Sequence, residues 1–243
     1  MCFSASASFT AGVGLTLIGI VALLRAPRGY RLLASIPFLF ALQQFSEGIV
    51  WLILTGVQSA ESVARSPLGL LIAPMRVFTK GLKIPVHVDA ILTAAVLTFL
   101  FFALVIWPFW LPLACLRCET NNFRSHIIFS LWFMGSIISC IMLFGLVDYG
   151  ADAKIVGGHI VYITKSIMPR VSWMNVLLYT CATIGPLLVS SLPGASIIGG
   201  AILASELLAW HFWHAAFVST WCFFAAILSL LIIGVLPDKK DAV

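Results

Sequence analysis

The stretch Ala90-Ile91-Leu92-Thr93-Ala94-Ala95-Val96-Leu97-Thr98-Phe99-Leu100-Phe101-Phe102-Ala103-Leu104-Val105-Ile106-Trp107 decides the fold class, because no charged residue interrupts the chain between Asp89 and Arg117. As a helix it is ~27 Å long at ~1.5 Å per residue, close to the ~30 Å hydrocarbon core of a bilayer. In that solvent every backbone N–H and C=O needs a partner within the protein, which selects helices or closed barrels. Barrel strands alternate polar and apolar residues, and this run does not.

The same pattern recurs outward in both directions. Apolar runs lie roughly at Phe9 to Leu24, Leu32 to Thr55, Val88 to Leu111, His126 to Val147, Ser172 to Ser191, Ile197 to Trp210 and Ala215 to Leu236. Over 243 residues, 61% are hydrophobic and 9% charged, against about 25% charged in a soluble domain. Mean hydropathy is +1.09. The expected fold is an all-α, polytopic membrane helix bundle of about seven transmembrane helices, one domain over residues 1–243. The last two runs carry no Gly or Pro between Ala201 and Ile233. The expected turn lies in the interfacial cluster Trp210-His211-Phe212-Trp213-His214. Nothing basic precedes Phe9, so the first run is expected to stay as a helix instead of being a cleaved signal.

Cations set the orientation. Arg25, Arg28, Arg31, Arg117, Arg124, Lys239 and Lys240 fall on one side and hug the spans. Arg65, Arg76, Lys80, Lys83, Lys154, Lys165 and Arg170 are spread through two long loops on the other. Weighting short loops predicts the N-terminus outside and the C-terminus inside, in a bacterial cytoplasmic (inner) membrane. The formal net charge of +5 comes from these headgroup anchors and excludes nucleic acid as a partner; the bilayer is the expected one. In the loop between helices 4 and 5, β-branched residues flank Gly157-Gly158 within residues 154–165, the signature of a small β-hairpin. Residues 68–80 suggest an interfacial helix.

Charge within a span is costly and marks function. Glu47 lies in the second run with Gln43, Gln44 and Trp51, at spacings that place all four on one helical face. Glu206 lies in the sixth run, followed by His211 and His214. Most histidines and carboxylates fall toward the outer side, which favours an outward-facing polar pocket. Imidazole and carboxylate suit a divalent metal ion or a proton relay, so His211, His214 and Cys2 are candidate metal ligands. Gln43, Gln44, Glu47, Trp51 and Glu206 are candidate ligand-binding residues. The plainer alternatives make the histidines interfacial anchors and Glu47 structural glue bonded to Gln43. After removal of Met1, Cys2 would combine a thiol with a free amine, an arrangement seen in N-terminal nucleophiles. Cys115-x-x-Cys118 lacks the second pair a metal site would want; Cys140, Cys181 and Cys222 read as packing residues.

Several motifs carry a resemblance. They are Met1-Cys2-Phe3-Ser4-Ala5-Ser6-Ala7-Ser8-Phe9, Ala41-Leu42-Gln43-Gln44-Phe45-Ser46-Glu47-Gly48-Ile49-Val50-Trp51 and Trp107-Pro108-Phe109-Trp110-Leu111-Pro112-Leu113. To these are added Leu178-Tyr179-Thr180-Cys181-Ala182-Thr183-Ile184-Gly185-Pro186-Leu187-Leu188 and Ser219-Thr220-Trp221-Cys222-Phe223-Phe224-Ala225-Ala226. Together the chain resembles a family of small bacterial multi-pass membrane proteins catalogued as a domain of unknown function. The resemblance implies the membrane fold, singles out Cys2, Gln44, Glu47, Trp51, Trp221 and Cys222, and supplies no activity. A looser likeness, of architecture alone, is to the seven-helix zinc hydrolases of the alkaline-ceramidase and adiponectin-receptor group. Their paired histidines are four apart; His211 and His214 are three apart.

The sequence thus predicts a membrane protein that binds or passes a metal ion, protons or a small ligand. The alternatives are an intramembrane enzyme (a metal-dependent lipid hydrolase or an N-terminal-cysteine nucleophile) and a membrane scaffold or sensor. Substrate and oligomeric state are not encoded in any motif of the chain.

Overall fold

A computed structural model describes residues 4–65, 86–164 and 173–237. Its helices are α1 (Ala5–Arg25), α2 (Ile36–Arg65), α3 (Val86–Leu100), α4 (Trp107–Cys118), α5 (Asn122–Tyr149), α6 (Trp173–Val189), α7 (Ala195–Phe212) and α8 (Phe217–Leu228). Strands β1 (Ala151–Val156) and β2 (His159–Thr164) stand between α5 and α6. The expected interfacial helix at residues 68–80 lies outside the described residues.

Among the described residues, six segments are long and apolar enough to cross a membrane. One is the 31-residue span Val88–Cys118, in which a π-helical stretch, Phe101–Ile106, joins α3 to α4. The span therefore runs past Leu111, where the apolar pattern had suggested its end, and Cys115 and Cys118 within it are buried. Helix α6 is shorter, at 17 residues, or ~25 Å. Yet it too traverses the bundle. Near its start Asn175 shares a cavity wall with Thr164 of β2, and beyond its end Ser190 and Ser191 bond Glu119 at the far end of α4. This is a multi-pass membrane protein with a small hairpin at one end of the bundle.

The two ends are chemically distinct. At the hairpin end, Ala5, Trp51, Ile155, Tyr162 and Cys222 share one core cluster. At the other end, Ala22, Ala26 and Ala34 pack with Tyr30, Ile233 and Leu236. Arg25, Arg28, Arg117 and Arg124 all belong to that second end. The expected turn falls at Trp213, whose backbone (φ −131°, ψ 43°) stops α7 before a 3-10 turn, His214–Ala216.

Close approaches at glycine hold the bundle. A methyl group at Gly12 would lie 3.0 Å from the Phe45 ring, and one at Gly48 would lie 2.9 Å from the Phe9 ring. Thus α1 and α2 each seat an aromatic ring over the other's glycine, the small-residue packing that membrane helices use in place of hydrophobic drive. The hairpin follows from its turn. Gly157 and Gly158 have φ of 59° and 79°, and Val156 pairs with His159, so two left-handed residues close a tight turn that matches strand twist.

Candidate functional site

The polar stripe of α2 faces inward as its spacing requires. Gln43, Gln44, Glu47 and Trp51 are all buried. Gln43 and Glu47 are met by different helices. Gln43 Oε1 accepts from Trp107 Nε1 at 2.8 Å, and Phe40 stacks on the same indole at 3.9 Å. Glu47 Oε1 accepts from Ser219 Oγ of α8 at 2.5 Å. The glue expected between Glu47 and Gln43 on one helix is thus replaced by two bonds across helices. Residues one turn apart on α2 point their side chains in parallel, toward α4 and α8. Gln43 Nε2, both polar atoms of the Gln44 amide, Glu47 Oε2 and Trp51 Nε1 remain without a hydrogen-bond partner.

Ser219 also belongs to the wall of a cavity of about 560 Å³. This volume is within the range of small-molecule sites, ~300–1,000 Å³. The walls come from the π-helical stretch, α5, the hairpin and the facing ends of α6, α7 and α8. Leu100, Met142, Leu146 and Ile160 supply apolar surface; Glu206, Tyr162, Tyr179 and Asn175 supply polar groups. Thr164 and His214, both exposed, lie at its hairpin end.

Glu206 is 5% exposed. Its Oε1 accepts from Thr180 Oγ1 of α6 at 2.5 Å, and its Oε2 has no hydrogen-bond partner. Tyr162 is in a similar position: its ring stacks on Phe99 at 4.5 Å and its hydroxyl is buried and unpartnered. Burial, with the Glu47 carboxyl adding to it, holds the Tyr162 phenol well above its usual range, so it stays a donor. The Tyr179 hydroxyl donates to the Ala103 carbonyl, and Ser139 Oγ donates to the Val105 carbonyl at 2.7 Å. Both carbonyls belong to the π-helical stretch, where the wider winding displaces them from the regular ladder.

A second, much smaller cavity of about 40 Å³ lies deeper in the bundle, among Ile36, Phe40, Leu111 and Ile232. Tyr179, Trp221 and Cys222 line both cavities. They form the partition between them.

Of the metal candidates, the described residues include His211 and His214. His211 and His214 are both exposed, and the break at Trp213 ends the helix between them, so their spacing of three no longer puts them on one face. The His211 ring packs against Phe212, and that of His214 against Trp210. Among the described residues no group of three or more His, Cys, Asp or Glu converges on a metal position. Cys2 lies outside the described residues. Cys115 and Cys118 are buried packing residues, with Cys118 Sγ 3.5 Å from the Gly29 carbonyl oxygen.

A family model described as a family of unknown function (DUF6629) matches residues 1–101 and 88–243, which together cover the chain. The chain belongs to that family. No curated protein and no solved structure matches it. Membership of DUF6629 brings no chemistry with it, but the motifs noted in the sequence now have structural duties. Tyr179, Thr180, Ser219, Trp221 and Cys222 build or brace the cavity. Thr180 and Ser219 had drawn no notice of their own, and neither had Tyr162. The signal available was their place one to four residues from a conspicuous Trp, Cys or Gly.

Proposed function

We propose that this member of DUF6629 binds a small, largely apolar molecule carrying a polar group, in the hairpin-side cavity, from the outer face of a bacterial cytoplasmic membrane. The observation that carries the reading is the cavity of about 560 Å³, walled mainly by apolar and aromatic side chains, with Glu206 Oε2 and the Tyr162 hydroxyl unpartnered in its wall region. Large apolar sites with a few converging polar groups are the common form of small-molecule sites. The unpartnered carboxyl oxygen and phenol are the atoms that would fix a ligand's orientation, because buried polar atoms left unbonded are costly.

The test is a titration of N-phenyl-1-naphthylamine, a neutral apolar fluorophore, into protein held in lipid nanodiscs, with empty nanodiscs as the blank. Saturable fluorescence enhancement above the blank is expected. It should disappear in Val176→Trp, which places an indole in the cavity wall. Titration curves identical to the blank, or unaffected by Val176→Trp, would reject the reading.

The small inner cavity supports a second reading, passage of the ligand or of protons beyond the partition of Tyr179, Trp221 and Cys222. Uptake of the fluorophore into proteoliposomes, faster with protein than without, separates transport from binding alone.

A further inference from the structure

The cavity's walls are asymmetric in charge as well as in polarity. Glu206 is its one carboxylate, and no lysine or arginine lines it among the described residues. The other ionisable groups in the wall are Tyr162, Tyr179, Cys222 and His214, and none is a fixed cation. Glu206 is nine-tenths buried or more, anchored through one oxygen by Thr180 and unpartnered at the other.

Aromatic rings stand beside it. Trp210 lies four residues on from Glu206 in α7, on the same helical face, and both line the cavity. The Trp210 ring meets Phe217 edge to face at 5.4 Å, Phe217 stacks on Trp221 at 5.6 Å, and Trp221 meets Tyr179 edge to face at 5.8 Å. These four rings form a continuous wall, and Tyr162 adds a fifth from the hairpin. Ring faces carry partial negative charge and attract ammonium groups, most strongly where water is excluded. A single carboxylate with a spare acceptor, set beside aromatic rings with no lysine or arginine in the lining among the described residues, selects for positive charge on the ligand.

We infer that the cavity takes a hydrophobic amine, whose ammonium group bonds Glu206 Oε2 and packs on the Trp210–Tyr179 ring wall while its apolar part fills the side lined by Leu100, Met142 and Leu146. The inference rests on the binding reading above and deepens it. The amine could be a free amphiphile or the headgroup of an aminolipid; the chemistry is shared.

Two fluorescent probes test it: dansylcadaverine, which ends in a primary amine, and N-pentyl dansylamide, which ends in a methyl. Energy transfer from tryptophan to the dansyl group reports binding at pH 8. In nanodiscs of phosphatidylglycerol and phosphatidylcholine, dansylcadaverine should bind at least tenfold more tightly than the neutral probe. In Glu206→Gln the two probes should bind alike. Trp210→Leu, which keeps the carboxylate, should narrow the preference severalfold and serves if Glu206→Gln is poorly folded. Equal binding of both probes to the wild type, or a preference untouched by both substitutions, overturns the amine assignment and leaves the binding reading standing. No binding of either probe overturns both. Replacing phosphatidylcholine by phosphatidylethanolamine distinguishes the source: loss of dansylcadaverine binding identifies an aminolipid, and unchanged binding a free amine.

Discussion

Glu47 depends on a hydroxyl that belongs to another helix. Ser219→Ala would leave a buried carboxyl with neither oxygen bonded, at a cost of about 1–3 kcal/mol. A lower thermal-unfolding midpoint in detergent is the expected result, and an unchanged midpoint would show that Glu47 has another partner. Glu119, outside the spans, behaves differently. Burial raises its pKa, but hydrogen bonds from the Ser191 hydroxyl and N–H, the Asn121 N–H and the Ser190 hydroxyl outweigh it, so the carboxyl sits below its usual range. With the folded pKa lowered, Glu119 contributes stability above the unfolded value near 4.5 and loses it as pH falls through the folded value. Glu119→Gln should therefore unfold at a lower temperature than the wild type at neutral pH. The two should converge in acid, as a thermal series from about pH 7 to about pH 3 would show. The α2 stripe was legible in the sequence because spacing alone sorts residues onto faces. The hydroxyls of Ser219 and Thr180 were not, because most hydroxyls in apolar helices bond their own preceding turn. Ser46, Thr55, Ser136 and Thr183 do so here. Nothing local tells those that reach across from those that do not.

At the scale of elements, contact between α4 and α5 turns on Gly135. A Cβ there would lie 1.9 Å from the Pro108 carbonyl oxygen, whereas at Gly200 in α7 it would meet nothing within 4 Å. Gly135→Ala should force the helices apart and sharply reduce the yield of folded protein. Gly200→Ala should be neutral or stabilising by about 0.5–1 kcal/mol, the ordinary gain of alanine over glycine in a helix. Size-exclusion profiles and unfolding midpoints of the pair would check both. The hairpin was readable from Gly157-Gly158, since Gly-Gly is, with Asn-Gly and Asp-Gly, one of the few pairs that close a two-residue turn with both φ positive. The π-helical stretch was not. Phe101 to Ile106 has the composition of any apolar helix, and its winding is supported from outside, by Tyr179 and Ser139 capturing the displaced carbonyls.

For the whole molecule, apolar run length and the need to satisfy the backbone specified the bundle, and the interfacial aromatics located the turn at Trp213. The convergence of Tyr162, Tyr179 and the Glu206–Trp210 face was not legible, because they stand on three elements, β2, α6 and α7, and only packing sets how those meet. The same scale carries the orientation. An epitope inserted between Gly157 and Gly158 should be reached by antibody on spheroplasts without permeabilisation, and one placed after Asp241 only after it; the reverse pattern would invert the orientation. The Glu47–Ser219 bond joins residues 172 positions apart, and this has a consequence for how the protein is made. Ribosomes add ~5–20 residues per second, so α2 enters the bilayer many seconds before α8 exists. During that interval its carboxyl has no serine to meet, and a partnerless carboxyl at membrane depth costs a few kcal/mol. The second helix must therefore be carried in by the apolar residues around Glu47 and by α1 already in place. Helix α8 is what turns a tolerated carboxyl into a seated one.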